Sequence, residues 1–118
     1  MVSDLNRLAE SFRQELLDAY VEAKTKYHYN ATRFFRMLEE YGGVETARRL
    51  LGTTSTTQTG LTEMWKCGRL DLTVEAKVLI PRYKLLFTAE LRNVARNRLL
   101  QLNFPVDKWL KSLRTRGA

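Results

Sequence analysis

Leu5, Leu8, Phe12, Leu16, Ala19, Ala23 and Tyr27 recur at steps of three and four residues through the opening quarter of the chain. That spacing draws one stripe along a 3.6-residue helix and suits no face of a strand. A stripe of this length must be covered by apolar surface from elsewhere in the chain, which points to helices packed around a shared core. Ser3 is placed to cap the helix, with Asp4 favourably set in its first turn. Leu17 and Val21 lie off the stripe by about a third of a turn. Either this helix is contacted on two sides within a compact bundle, or the two residues serve a homo-oligomer contact.

Shorter helical stretches follow. Asn30 is positioned to cap a helix over 31–41 with Phe34, Met37, Leu38 and Tyr41 on one face. Gly42 then supplies a left-handed stop, and the Gly42-Gly43 pair turns the chain into a helix over 44–51. The polar run TTSTTQTG at 53–60 reads as an exposed loop. A short helix over 61–67 ends at Gly68, and Asp71 is read as the cap of a helix over 72–80. Pro81 breaks that helix and opens a turn through Leu86. Thr88 caps a last long helix over 89–102, and after Pro105 a short helix over 106–113 carries Val106, Trp109, Leu110 and Leu113. The expectation is an all-α protein, a compact irregular bundle of about five to seven helices. A single domain spans 1–118, with a basic segment from about 103 and a frayed end at 115–118.

Charge is unevenly shared. Residues 1–90 carry 13 basic and 12 acidic side chains, whereas residues 91–118 carry seven basic and one acidic, Asp107. A basic end on a nearly neutral body favours a polyanionic partner. The candidate nucleic-acid-binding residues are Arg92, Arg96, Lys108, Lys111, Arg114 and Arg116, a stripe if the 106–113 helix packs beside the long one. Such groups grip phosphates without reading bases. The plainer alternative is a tail that only aids solubility. Arg98 projects close to the apolar side of its helix, where it needs a carboxylate, a carbonyl or a route to water. Trp109 is either a stacking platform for a base or an anchor for its helix, and its place beside Val106 and Leu110 favours the anchor.

Signals for catalysis are sparse. One cysteine (Cys67) and one histidine (His28) allow no intrachain disulfide and none of the usual Cys/His zinc clusters. His28 fits the end of the first helix, where it complements the helix dipole; Cys67 fits an ordinary half-buried thiol. Asp71 and Glu75, four residues apart, have the spacing of paired carboxylates for a divalent ion, but a helix cap and a first-turn acid account for both. The chain has no phosphate-binding P-loop and no H-E-x-x-H. V-E-T-A-R-R-L-L-G resembles the first half of a helix–turn–helix, but eight polar residues intervene where three or four belong. No catalytic residue, metal or cofactor is therefore expected. Neither a leader pattern nor a long apolar run is present, so a cytoplasmic protein with no membrane partner is expected.

Tyr29-Asn30-Ala31-Thr32-Arg33-Phe34, then Gly42-Gly43, and later Gly68-Arg69-Leu70-Asp71-Leu72-Thr73-Val74-Glu75 resemble a small helical module of uncharacterised bacterial and bacteriophage proteins. The likeness runs from residue 29 to about 100 and does not extend to the basic tail. It implies a bacterial or bacteriophage helical domain and carries no catalytic residue with it. Two functions follow from the residues. The first is a non-catalytic nucleic-acid-binding accessory that contacts the phosphates of RNA or DNA, as part or regulator of a bacterial defence complex. The second is a protein-interaction module, an inhibitor or adaptor of a larger complex. A small nuclease built on Asp71 and Glu75 is a minor third.

Overall fold

The computed structural model describes residues 3–52 and 59–116, including all side chains in these spans but those of residues 59, 115 and 116. It contains α1 (Asp4–Tyr27), α2 (Thr32–Gly52), α3 (Thr59–Lys66), a 3-10 turn (Leu70–Leu72), α4 (Val74–Val78), a 3-10 segment (Pro81–Leu86), α5 (Ala89–Gln101) and α6 (Val106–Arg116). No strand occurs among the described residues, and the protein is an all-α bundle. Its Cα radius of gyration, 13.6 Å, is close to the ~13.5 Å that this length gives for a compact domain. The loop read at 53–60 lies, over 53–58, outside the described residues.

α1 begins as its sequence dictates. Ser3 is extended, and its hydroxyl accepts from the Asn6 N–H at 3.1 Å. The helix ends on His28, which adopts the left-handed conformation (φ 57°, ψ 23°) while its backbone N–H donates to the Ala23 carbonyl. Phe12, Leu16, Ala19 and Ala23 are buried. The Phe12 ring meets the edges of Tyr83 at 5.1 Å and Phe87 at 5.0 Å, which seats α1 on the 3-10 segment. The Tyr83 hydroxyl donates to Glu15 Oε1 at 3.0 Å, and Lys77 Nζ reaches the other oxygen of that carboxylate at 3.3 Å. Off the stripe, Leu17 packs against the core and Val21 stays 47% exposed.

α2 is two helical halves joined across Gly42, whose φ of 78° and ψ of 179° belong to glycine alone. The break frees the second half to drive Gly43 against α1. A Cβ on Gly43 would stand 2.9 Å from Arg13 Cα and 3.2 Å from Phe12 Cδ2. Thr46 is fully buried and its hydroxyl finds no hydrogen-bond partner among the described residues. Asn30 does not cap α2 with its side chain; its Oδ1 accepts from the Tyr20 hydroxyl at 2.8 Å, and the helix starts at Thr32.

Thr73, not Asp71, caps α4. Its hydroxyl accepts from the Ala76 N–H at 3.1 Å, because residues 70–72 are spent in a 3-10 turn before the helix starts. Thr88 caps α5 in the same way, accepting from the Leu91 N–H. A part-buried ion pair lies between these elements. The Arg98 guanidinium on α5 donates to Glu75 Oε2 at 3.1 Å and to the Leu50 and Leu51 carbonyls at 3.1 and 3.5 Å. It joins α5 to α4 and to the carbonyl end of α2, where a cation is favoured. α6 docks through the buried Val106 and the half-buried Trp109, whose ring lies 5.7 Å from that of Phe104. Trp109 is thus the anchor of its helix. α6 runs to Arg116, further than the helix read over 106–113 and into the stretch expected to fray; residues 117–118 lie outside the described residues.

Gly43→Ala should cost about 1–3 kcal/mol, since the obstructing atoms are backbone and cannot turn aside. Gly52→Ala, with no described atom within 4 Å of its Cβ position, should stay within about 1 kcal/mol of the parent; urea unfolding of the two variants checks the contrast. Burial, aided by the Glu15 carboxylate, pushes the Tyr83 phenol from 10.0 up to about 12. The folded state therefore holds the neutral phenol more tightly than the unfolded chain. That stabilisation is complete below pH 10 and is lost as pH rises towards about 12. Thermal unfolding across this range should show the parent losing more stability than Tyr83→Phe.

Candidate nucleic-acid interface

The carboxylates singled out in the sequence are separated by the fold. Asp71 receives both arms of Arg69 at 3.0 Å, and Glu22 meets the same guanidinium at 2.7 Å. The hydrogen bond from Arg69 holds the Glu22 carboxyl below its ordinary range. Arg69 in turn is held above its ordinary value, by Asp71 first. Glu75 faces the other way, 3% exposed, and is neutralised by Arg98. No group of three or more metal-ligating side chains occurs among the described residues. His28 is exposed at the end of α1 and Cys67 is half-buried after α3; no hydrogen bond joins them among the described residues.

The basic residues of α5 and α6 are arranged unequally. Arg92 and Arg96 stand one turn apart on the flank of α5, at the edge of its buried Ala95–Leu99 face. α6 folds back against that flank, and Arg96 Nη1 donates to Asp107 at 3.0 Å. Asp107 is 78% exposed, so this pair fixes orientation more than it adds stability. Leu110 follows Asp107 by one turn and Arg114 follows Leu110 by one more, so the three share a flank of the helix. Lys111, four residues after Asp107, extends it. Lys108 is exposed on the side of α6 opposite Val106 and Leu110. The Arg116 side chain lies outside the described residues.

Where the 3-10 segment, α5 and α6 meet, a recess of about 270 Å³ opens. Lys84, Arg92 and Arg96 line it with Asn93, over walls from Leu79, Ile80, Pro81 and Leu110, and no carboxylate lines it among the described residues. Arg92 Nε is buried and has no hydrogen-bond partner among the described residues. An unmet buried donor costs about 1–3 kcal/mol, and more when charged. Lys84 was not legible as a site residue. It sits before the basic end of the chain, and only the turn after Pro81 carries it to the side of α5.

A larger cleft of about 900 Å³ lies between α1, α2, α3 and α4. Its floor includes the buried Leu16, Ala19, Met64 and Leu72, and its rim includes the exposed Arg33, Arg36 and Arg49 with one exposed carboxylate, Glu40. Burial, with Glu63 nearby, holds the Tyr29 phenol in this cleft above its ordinary value. Arg49 lies 3.9 Å from the centre of the Tyr41 ring and pairs with Glu45 at 3.1 Å.

Glu75→Gln should cost about 3–5 kcal/mol by removing the carboxylate that neutralises the part-buried Arg98. Asp71→Asn, at a pair more than a quarter exposed, should cost about 1 kcal/mol or less. Paired denaturant curves distinguish these two roles.

Among the described residues no helix is long and apolar enough to cross a membrane. Comparison with protein-family models, with curated proteins and with solved structures finds no match for the chain.

Proposed function

We propose that the protein is a non-catalytic accessory that binds RNA or DNA through backbone phosphates, using the face formed by the 3-10 segment, α5 and α6. The observation that carries this reading is the recess in which Lys84, Arg92 and Arg96 converge with no lining carboxylate among the described residues. Arg114 and Lys111 extend the same positive flank along α6. Cations held on three elements attract a polyanion at long range and contact successive phosphates at short range. They form no base-reading set, since a groove-reading element presents several side chains to base edges. The setting is a bacterial cytoplasm, and the role is that of a subunit or regulator in a larger assembly, including a defence complex. The likeness to bacterial and bacteriophage helical modules and the single half-buried cysteine support that placement.

The larger cleft favours a second reading, an adaptor or inhibitor that docks a segment of a partner protein. Its apolar floor and arginine rim suit an acidic amphipathic segment. Reversing Arg33 and Arg36 together separates the two readings: protein docking is lost and nucleic-acid affinity is kept if the sites are independent.

Fluorescence-anisotropy titrations against short RNA and DNA at several salt concentrations test the main reading. The logarithm of affinity should fall linearly with the logarithm of salt, with a slope of about 0.7 per phosphate on single strands and about 0.9 on duplex. Four contacts therefore give a slope of about 3 to 4. Lys84→Ala with Arg114→Ala should lower the slope by about 1.4–1.8 and weaken binding to all sequences by a similar factor. No binding by the parent at low salt, or an unchanged slope in the double variant, overturns the reading.

A further inference from the structure

We infer that the recess between the 3-10 segment, α5 and α6 is a seat for a single phosphate group, with Arg92 as its central donor and Lys84 and Arg96 on either side. The inference deepens the nucleic-acid reading and rests on it for the source of the phosphate. Three independent features of the site support it.

The first is charge. Three cations line one recess, yet the described carboxylates compensate only Arg96, through Asp107 at the exposed rim. The more buried cations of the chain are paired, whereas, among the described residues, the exposed Arg33 and Arg36 are not. Arg69 takes Asp71 and Glu22, Lys77 takes Glu15, and Arg98 takes Glu75. Lys84 and Arg92 have no ion-pair partner among the described residues. Holding like charges together without a counter-charge is unfavourable, and an oxyanion in the recess relieves it.

The second is an unmet donor. Arg92 lines the recess and is half-buried, while its Nε is closed to solvent and donates to no described acceptor, so an oxyanion in the recess would meet the outer nitrogens of its fork. A guanidinium presents its N–H groups in a planar fork that matches two oxygens of a phosphate. The third is shape. Pro81 and Leu110 give the recess apolar walls, which lower the local dielectric and strengthen the attraction of an anion for the cations. Its volume of about 270 Å³ is many times the roughly 30 Å³ share of one liquid water. A phosphate fits with solvent beside it.

Inorganic phosphate is the probe. Titrated at low millimolar concentration, with ionic strength held constant by chloride, it should raise the melting temperature of the parent saturably, by a few degrees. The Arg92 Nε–H cross-peak in a ¹⁵N–¹H spectrum should move over the same concentration range. Arg92→Gln should abolish the thermal shift. Lys84→Ala, at an exposed position, keeps the fold intact and should weaken phosphate at least fivefold. No saturable shift in the parent, or equal shifts in the parent and Lys84→Ala, overturns the seat.

Oligonucleotides with a 5′-phosphate or a 5′-hydroxyl identify the source. Equal affinities, both reduced in Lys84→Ala, assign the seat to an internal backbone phosphate, whereas a preference for the 5′-phosphate that Lys84→Ala removes assigns it to a strand end. Oligonucleotide binding that is insensitive to Lys84→Ala, together with no phosphate shift, overturns the seat and leaves the broader reading standing. Phosphate binding in the recess without any oligonucleotide binding does the reverse.

Discussion

One guanidinium, that of Arg98, joins three elements that are otherwise distant in sequence. It neutralises Glu75 on α4, caps the carbonyl end of α2 through Leu50 and Leu51, and is itself fixed on α5 between the buried Ala95 and Leu99. Each contact makes the others affordable. The carboxylate could not be 3% exposed without a cation, the cation could not leave water without the carboxylate, and the last carbonyls of α2 gain a charged donor. The flank of α5 is oriented by this contact as well. With Arg98 turned inward, Arg92 and Arg96 fall at the edge of the core, where α6 and the 3-10 segment close around them.

Periodic signals carried much of the fold. The stripe of α1, the Ser3 and Thr88 caps, the break at Gly42 and the need of Arg98 for a buried partner were all legible, because each depends on residues within a turn or two. The α4 cap was not. Asp71 outranks Thr73 by no great margin as a cap, and the choice was decided by a 3-10 turn and by the pull of Arg69 on the aspartate. His28 as a helix stop carries no glycine signal. Asn30 was drawn from the α2 cap by a hydroxyl ten residues earlier, which local spacing cannot reveal.

The candidate site follows the same division. That Arg92 and Arg96 lie one turn apart was readable. That Asp107 returns to hold Arg96, that Lys108 faces away, and that Lys84 joins from the turn after Pro81 depend on how α6 and the 3-10 segment pack. A count of charges along the chain locates an excess but not a concavity. The difference is physical, since solvated cations repel weakly at a distance whereas cations around an apolar-walled recess act on the same small volume.

The meeting of Gly43 with Arg13 also bears on which structure the sequence selects. Small helical cores tolerate many apolar substitutions and lose uniqueness before they lose stability, because similar helices can slide past one another to nearly equivalent packings. Here sliding is blocked. A shift of α2 by one residue in one direction brings Val44 to the point where even a methyl group is too large, and a shift by one turn brings Ala47 or Glu39. Most alignments of the two longest helices therefore force their backbones apart, so the absent side chain serves as a registration mark.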